Sequence, residues 1–140
     1  MPRIAILTPR LTAASKDTVI GSIFSALVAL AFLTLGAGAY AAPEKLSENY
    51  GLPTQDPIAH GYIRGLGARD AVLGLLILTF LIAKSRGALG ATVALSALVG
   101  ASDFAIVYAA RGTAAKSSLA IHGIGTVGLL AVWGLIRTGL

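Results

Sequence analysis

The sequence predicts an all-α integral membrane protein, a four-helix antiparallel bundle that forms a single domain over residues 1–140. Hydrophobic residues make up 56% of the chain and charged residues only 12%, whereas a typical soluble domain has about 25% charged residues. The mean hydropathy is +0.82. Four apolar runs each approach the roughly 20 residues that an α-helix needs to cross a bilayer core. These observations place the chain in the membrane class.

The four predicted spans are residues 19–42, 59–83, 88–110 and 118–136. The first ends in AGAYAAPE, which resembles a signal cleavage site, but this largely apolar stretch of 24 residues exceeds the usual signal core of about 7 to 15. Residues 43–57 carry three prolines and form the one long predicted loop, which we interpret as a possible lid. The other two connections are short, and this favours antiparallel neighbouring helices.

Basic residues are distributed unevenly between the two predicted faces of the membrane. The positive-inside rule therefore favours a multi-pass protein with both termini in the cytosol. The net charge of +5 is explained by this orientation, so we expect a lipid bilayer and not nucleic acid as the partner. One face has Arg3, Arg10, Lys16, Lys84, Arg86 and Arg137, and the other has Lys45, Arg111 and Lys116.

Three polar residues interrupt the later spans: Asp70, Asp103 and His122. Asp103 lies seven residues before Ala110 and His122 seven residues after Ala115, so each lies about 10 Å below the same boundary at 1.5 Å per residue. Asp70 lies about ten residues into its own span. A charge at a helix centre is costly and normally faces the bundle interior or a partner. We therefore predict that the three side chains share one layer.

Arg69 and Arg64 supply countercharge to this layer, because a guanidinium can bridge two carboxylates. We predict a polar pocket in which Asp70, Asp103, His122 and Arg69 are the catalytic candidates. Residues nearer the mouth are candidates for substrate binding, and these are Arg64, Tyr62, His60 and Tyr50. Two alternatives stay open. The arginines could only extend their charged ends to the membrane–water interface, and the two aspartates could form a purely structural ion pair through an arginine.

Motifs for other chemistries are weak or missing in this sequence. RGLGARD has no preceding strand and no later glycine of a phosphate-binding fingerprint. There is no cysteine, and the two histidines are too few for a histidine-rich metal site. We therefore expect neither a metal nor a cofactor.

The arrangement Y-x-R-x-x-G-x-R-D at Tyr62 to Asp70, with Asp103 in the third span and His122 in the fourth, resembles a family of small four-helix membrane proteins. That family is found in bacteria and fungi and is largely catalogued as a domain of unknown function. Some fungal members, encoded beside polyketide synthases, are described as membrane epoxide hydrolases. The resemblance therefore implies attack of water or a hydroxyl on an epoxide within a lipophilic substrate.

The residues are compatible with epoxide opening, which needs a base to activate water and an acid to protonate the departing oxygen. We interpret Asp103 or His122 as the water-activating group and Asp70, beside Arg69, as its partner. The first hypothesis is an epoxide hydrolase or an epoxide-opening cyclase. The alternative is a non-enzymatic membrane protein, such as a transporter subunit or a lipid-binding module, whose Arg, Asp and His residues are structural. Assembly into a homo-oligomer stays open.

Overall fold

A computed structural model describes residues 16–138 and consists of four long helices and one short one. The helices are α1 (Lys16–Ala41), α2 (Pro43–Tyr50), α3 (Pro57–Ile82), α4 (Arg86–Arg111) and α5 (Lys116–Thr138), with a 3₁₀ turn at Gly112–Ala115 before α5. Arg3 and Arg10, which contribute to the predicted orientation, lie outside the described residues. The prediction of an all-α bundle is confirmed.

Three helical stretches are long and apolar enough to cross a membrane, and they are Val19–Ala41, Pro57–Ile82 and Arg86–Thr138. The third has 53 residues and folds back at the 3₁₀ turn, so it supplies both α4 and α5. Each arm is about 35 to 39 Å long at 1.5 Å per residue, enough for a hydrocarbon core of about 30 Å. The protein is therefore a membrane-embedded antiparallel bundle.

The prediction of a loop at residues 43–57 is wrong for the first half of that segment, because residues 43–50 form α2. Pro43 occupies the first turn of α2, where its missing N–H costs nothing. Gly51 ends the helix at a φ of 100°, a left-handed conformation that favours glycine, and its amide donates to the carbonyls of Ser47 and Glu48. Asp56 then begins α3 by accepting a hydrogen bond from the Ile58 amide at 2.9 Å.

The bundle consists of two closely packed helix pairs, α1 with α3 and α4 with α5. Small residues permit the first contact: a Cβ atom added to Gly67 would collide with Ala39, and one added to Gly74 would lie 2.9 Å from the Ala29 carbonyl oxygen. In the second pair, Gly100 packs against Thr126. The apolar core joins the two pairs near the end opposite α2, and it consists of Ala29, Ile77, Leu89, Val93, Ala97, Leu129, Val132 and Ile136.

Candidate functional site

A cluster of polar side chains lies between the two helix pairs, on the α2 side of the apolar core. It consists of Arg69 and Asp70 from α3, Asp103 from α4, His122 from α5 and Tyr50 from the end of α2, and is called the polar cluster below. Asp70 and Asp103 are buried, with 8% and 7% of their surface exposed. Ionisable side chains buried at this depth need partners.

Asp70 faces inward because it falls on the buried stripe of α3 together with Ile63, Gly67, Gly74 and Ile77. Asp103 lies on the corresponding stripe of α4, between Ser96 and Val107, which are both buried. The periodicity of small and apolar residues on each helix therefore determines that the two carboxylates point into the bundle.

Arg69 bridges the two carboxylates. Its Nη1 and Nη2 atoms donate to the two oxygens of Asp103 at 3.2 and 3.1 Å, which is the fork geometry of a bidentate pair. Its Nε atom donates to Oδ1 of Asp70 at 3.0 Å, and Nη2 lies 2.9 Å from the same oxygen. One guanidinium thus holds carboxylates that are 33 residues apart in the sequence.

The two carboxylates differ in the number of hydrogen bonds that their oxygens accept. Asp103 accepts two hydrogen bonds from Arg69 and a third from the Tyr50 hydroxyl at 2.9 Å. Asp70 accepts only through Oδ1 from the described side chains, and no residue within 19–138 donates to its Oδ2. Asp103 is therefore the anchored carboxylate, and Asp70 is the one with a free oxygen.

Tyr50 connects the segment outside the membrane with the two last helices. Besides its bond to Asp103, its backbone carbonyl accepts from Nε2 of His122 at 3.1 Å, and the two rings meet edge to face with centroids 4.8 Å apart. A carbonyl oxygen only accepts, so Nε2 carries the proton. In the neutral ring, Nδ1 then has the free lone pair.

The Tyr50 hydroxyl is held in its protonated form. Burial, followed by the hydrogen bond to Asp103, raises the pKa of Tyr50, which therefore stays protonated.

The position of Tyr50 depends on residues that the sequence did not indicate as site residues. Gly51 packs so closely on α5 that an added Cβ atom would lie 2.7 Å from Cβ of Ser118. Arg111 donates to the Gly51 carbonyl at 3.4 Å. The sequence offered one signal for this contact, because a glycine directly after a short polar segment is typical of a helix C-cap.

Three predicted substrate-binding residues do not join the polar cluster. Tyr62 is 75% exposed, and Arg64 is exposed without a hydrogen bond or ion pair to residues 19–138. His60 contacts the Thr54 carbonyl at 3.0 Å instead. For Arg64 the reason is helical phase, because at 100° per residue it lies about 140° around α3 from Arg69. Tyr62 shares the Arg69 face but lies two helical turns nearer the end of α3. These three residues lie near the outer end of α3. Of the four predicted substrate-binding residues, Tyr50 is the one that belongs to the polar cluster.

No group of three or more His, Asp or Glu side chains within residues 19–138 is arranged to hold a metal ion. The polar cluster instead offers one cation, two carboxylates, a phenol and an imidazole in mutual contact. Groups of these kinds can bind and orient a polar molecule and can exchange protons with it.

The helices and the polar cluster together define a class of small, all-α, membrane-embedded proteins with an arginine-bridged carboxylate pair. Within that class, the chain belongs to the domain of unknown function family DUF4267, whose family model matches residues 29–137. No curated protein and no solved structure matches the chain. The match includes every residue of the polar cluster.

Proposed function

We propose that the protein is an integral-membrane enzyme that opens an epoxide in a lipophilic small molecule by acid–base catalysis at the polar cluster. The observation that carries this proposal is the asymmetry of the bridged pair, in which Asp103 is anchored by three hydrogen bonds while Oδ2 of Asp70 has none within the described chain. Two carboxylates in different environments can divide the roles of acid and base.

The charge of the polar cluster supports an acid at Asp70. With one guanidinium, two carboxylates and a neutral His122, the ionised cluster carries one net negative charge. Burial in a medium of low dielectric favours neutralisation by one proton. Oδ2 of Asp70 is the site for that proton, because the bidentate fork and the Tyr50 hydroxyl stabilise Asp103 as the anion.

The reaction then proceeds in one displacement. A water oxygen attacks an epoxide carbon, the carbon–oxygen bond breaks, and Asp70 delivers its proton from Oδ2 to the departing oxygen. Nδ1 of His122 takes the proton of the attacking water, since its Nε2 atom is engaged with the Tyr50 carbonyl. Loss of that proton from His122 and uptake of one by Asp70 restore the site, and the product is a diol. A hydroxyl of the substrate in place of water gives a cyclic ether.

The direct test is incorporation of oxygen from ¹⁸O-water into the product of a long-chain epoxide, with the full-length protein in nanodiscs. Asp70→Asn, and likewise His122→Gln, is expected to lower the rate by about 10²- to 10⁴-fold. Glu48→Gln is the matched control, because Glu48 is an exposed carboxylate on α2 that pairs with Lys45. Its rate should equal that of the wild type.

Other outcomes are equally informative. If the protein consumes a hydroxy-epoxide and the product contains no ¹⁸O, the reaction is that of an epoxide-opening cyclase. A larger loss in Asp103→Asn than in His122→Gln, at equal helical content, moves the role of base to Asp103. No turnover of any uncharged lipophilic epoxide contradicts the proposal.

A second candidate is a non-enzymatic membrane protein, such as a transporter subunit or a lipid-binding module, in which the polar cluster only holds helices together. One observation favours it: the polar cluster connects α2, α3, α4 and α5 through direct hydrogen bonds. In that case the Asp→Asn substitutions change the free energy of unfolding, and the wild type shows no turnover.

A further inference from the structure

Two arginines from different helices meet the same segment of chain at the end of the bundle opposite α2. Arg86, the first residue of α4, donates from Nη2 to the carbonyl of Ile136 at 2.7 Å. That carbonyl belongs to the peptide bond between Ile136 and Arg137, and Arg137 is exposed in the last turn of α5. The two arginines are therefore neighbours across the contact between α4 and α5.

Trp133, the single tryptophan of the chain, connects Arg137 with α4. The Cζ atom of Arg137 lies 5.3 Å from the centre of the Trp133 ring, which is a cation–π contact. The same ring packs on α4, where a Cβ atom added to Gly90 would lie 3.7 Å from its Cδ1 atom. Gly90 is one helical turn after Arg86, so the indole lies beside the start of α4. Arg86, Trp133 and Arg137 are called the interface cluster below.

The interface cluster has donors that no residue within 19–138 satisfies. Arg86 uses one N–H group, on an uncharged carbonyl, and Arg137 contacts a ring. A guanidinium has several further N–H groups, and the indole N–H of Trp133 has no acceptor within residues 19–138. An anion from outside the chain would satisfy these donors, because the acidic residues of that range lie on α2, directly before α3 or in the polar cluster. They are Glu44, Glu48, Asp56, Asp70 and Asp103.

The depth of the interface cluster favours a lipid phosphate among anions. Tryptophan is enriched at the headgroup level of a bilayer, where its ring is in an apolar region and its N–H in a polar one. Leu130 lies seven residues before Arg137 on the same face of α5 and is 46% exposed, so an acyl chain can lie along α5 below an anion at Arg137. A guanidinium matches the geometry of phosphate oxygens. The positive-inside rule places this end in the cytosol, where the membrane leaflet contains anionic lipids.

We propose that the interface cluster binds the phosphate of an anionic phospholipid, with Arg86 and Arg137 as the charged contacts and the indole N–H of Trp133 as a third donor. The Ile136 carbonyl and the Trp133 ring hold the arginines in place before the lipid arrives, so binding orders few side-chain torsions. Lys84, at the same end, is exposed, and its ammonium group makes no hydrogen bond or ion pair with residues 19–138. The site is separate from the polar cluster and independent of the proposed reaction.

Fluorescence of the single tryptophan measures binding at this site. The full-length protein is placed in phosphatidylcholine nanodiscs that contain rising fractions of phosphatidylglycerol with brominated acyl chains, because bromine quenches tryptophan on contact. Brominated phosphatidylcholine gives a reference curve for each variant. The wild type should prefer phosphatidylglycerol about tenfold or more, the equivalent of one hydrogen bond to a charged group. Arg86→Gln and Arg137→Gln should each lower that preference about fivefold or more.

Lys84→Gln is the matched control, because it removes an equal charge from the same end of the bundle. In about 0.5 M salt, charges that do not touch the lipid are screened within a few ångströms, so this variant should keep the preference of the wild type. An equal loss in Lys84→Gln would mean that diffuse charge attracts the lipid, and the site would be wrong. Arg137→Gln breaks no hydrogen bond to residues 19–138, so it decides the test if Arg86→Gln loses helical content.

Three further outcomes overturn the proposal. The first is a wild type that quenches equally with both brominated lipids. The second is relief of quenching by glycerol 1-phosphate in solution, because the ligand is then a free phosphate and not a lipid. The third concerns Asp17, which is in the first turn of α1 at the same end. If the preference for phosphatidylglycerol appears only in Asp17→Asn, the arginines pair within the chain and do not bind a lipid.

Discussion

Arg69 meets Asp103 with two nitrogens on two oxygens, at 3.2 and 3.1 Å. A fork of two parallel hydrogen bonds fixes direction as well as distance, so this pair sets the rotation of α3 relative to α4. The same guanidinium holds Asp70 on its own helix. Loss of Arg69 therefore leaves the buried Asp103 anion without its cation, whereas after loss of the Asp103 charge Asp70 can release its proton and pair with Arg69.

This difference predicts an order of stabilities. Arg69→Gln should lower the free energy of unfolding by about 3 to 5 kcal/mol, the cost of uncompensated buried charge. Asp103→Asn should cost less, about 1 to 3 kcal/mol, because Asp70 can then ionise and form a neutral pair with Arg69. Unfolding in mixed micelles, followed by helical circular dichroism, measures both. Arg64→Gln is the control on the same helix, because Arg64 is exposed and unpaired within the described chain; a cost equal to that of Arg69→Gln would contradict the bridge.

The Tyr50 phenol predicts a pH dependence. Burial and the hydrogen bond to Asp103 raise its pKa above the ordinary value, which is about 10. The folded protein therefore holds this proton more tightly than the unfolded chain does. The resulting stabilisation is complete below about pH 10 and decreases as the pH rises beyond it.

The measurement is the tyrosinate absorbance of the wild type minus that of Tyr50→Phe during an alkaline titration. The difference should appear well above pH 10, and Asp103→Asn should move it to lower pH because one of the two causes is removed. A difference signal that titrates at the ordinary tyrosine pKa would show that the hydroxyl is not bonded to Asp103.

Close contact between α1 and α3 predicts a pair of glycine substitutions with opposite results. Gly36→Ala should destabilise the bundle by about 1 to 3 kcal/mol, the usual cost of overpacking, because its Cβ atom would lie 2.9 Å from both the Ala71 Cβ atom and the Gly67 carbonyl oxygen. Gly61→Ala is the matched control on α3, where nothing lies within 4 Å. It should be neutral or slightly stabilising, since alanine favours the helix. Equal destabilisation by both would contradict this packing.

The fold could be predicted from the sequence because each of its long helices is an apolar run bounded by charges or prolines. The depth count also placed Asp70, Asp103 and His122 at one level, since helical rise is constant. The depth count could not predict the two hydrogen bonds from Arg69 to Asp103, because their geometry depends on how α3 and α4 are rotated about their axes. Arg64 lies outside the polar cluster because helical phase, and not nearness in the sequence, decides which side chains of α3 meet. The eight residues of α2, most of them polar, resemble a loop in the sequence because three prolines dominate the pattern of residues 43–57.

Orientation in the membrane is the last prediction, and the lack of cysteine makes it simple to test. Lys84, Arg86 and Arg137 lie at the end that also holds the start of α1, so the positive-inside rule places that end in the cytosol. A membrane-impermeant maleimide applied to intact cells should label Gln55→Cys, while Ser85→Cys should react only after permeabilisation. Both positions are exposed, and Ala97→Cys, which is 3% exposed, should react in neither case. The reverse pattern would contradict the orientation. It would also move the polar cluster from the outer to the cytosolic half of the bilayer, because the cluster lies on the α2 side of the core.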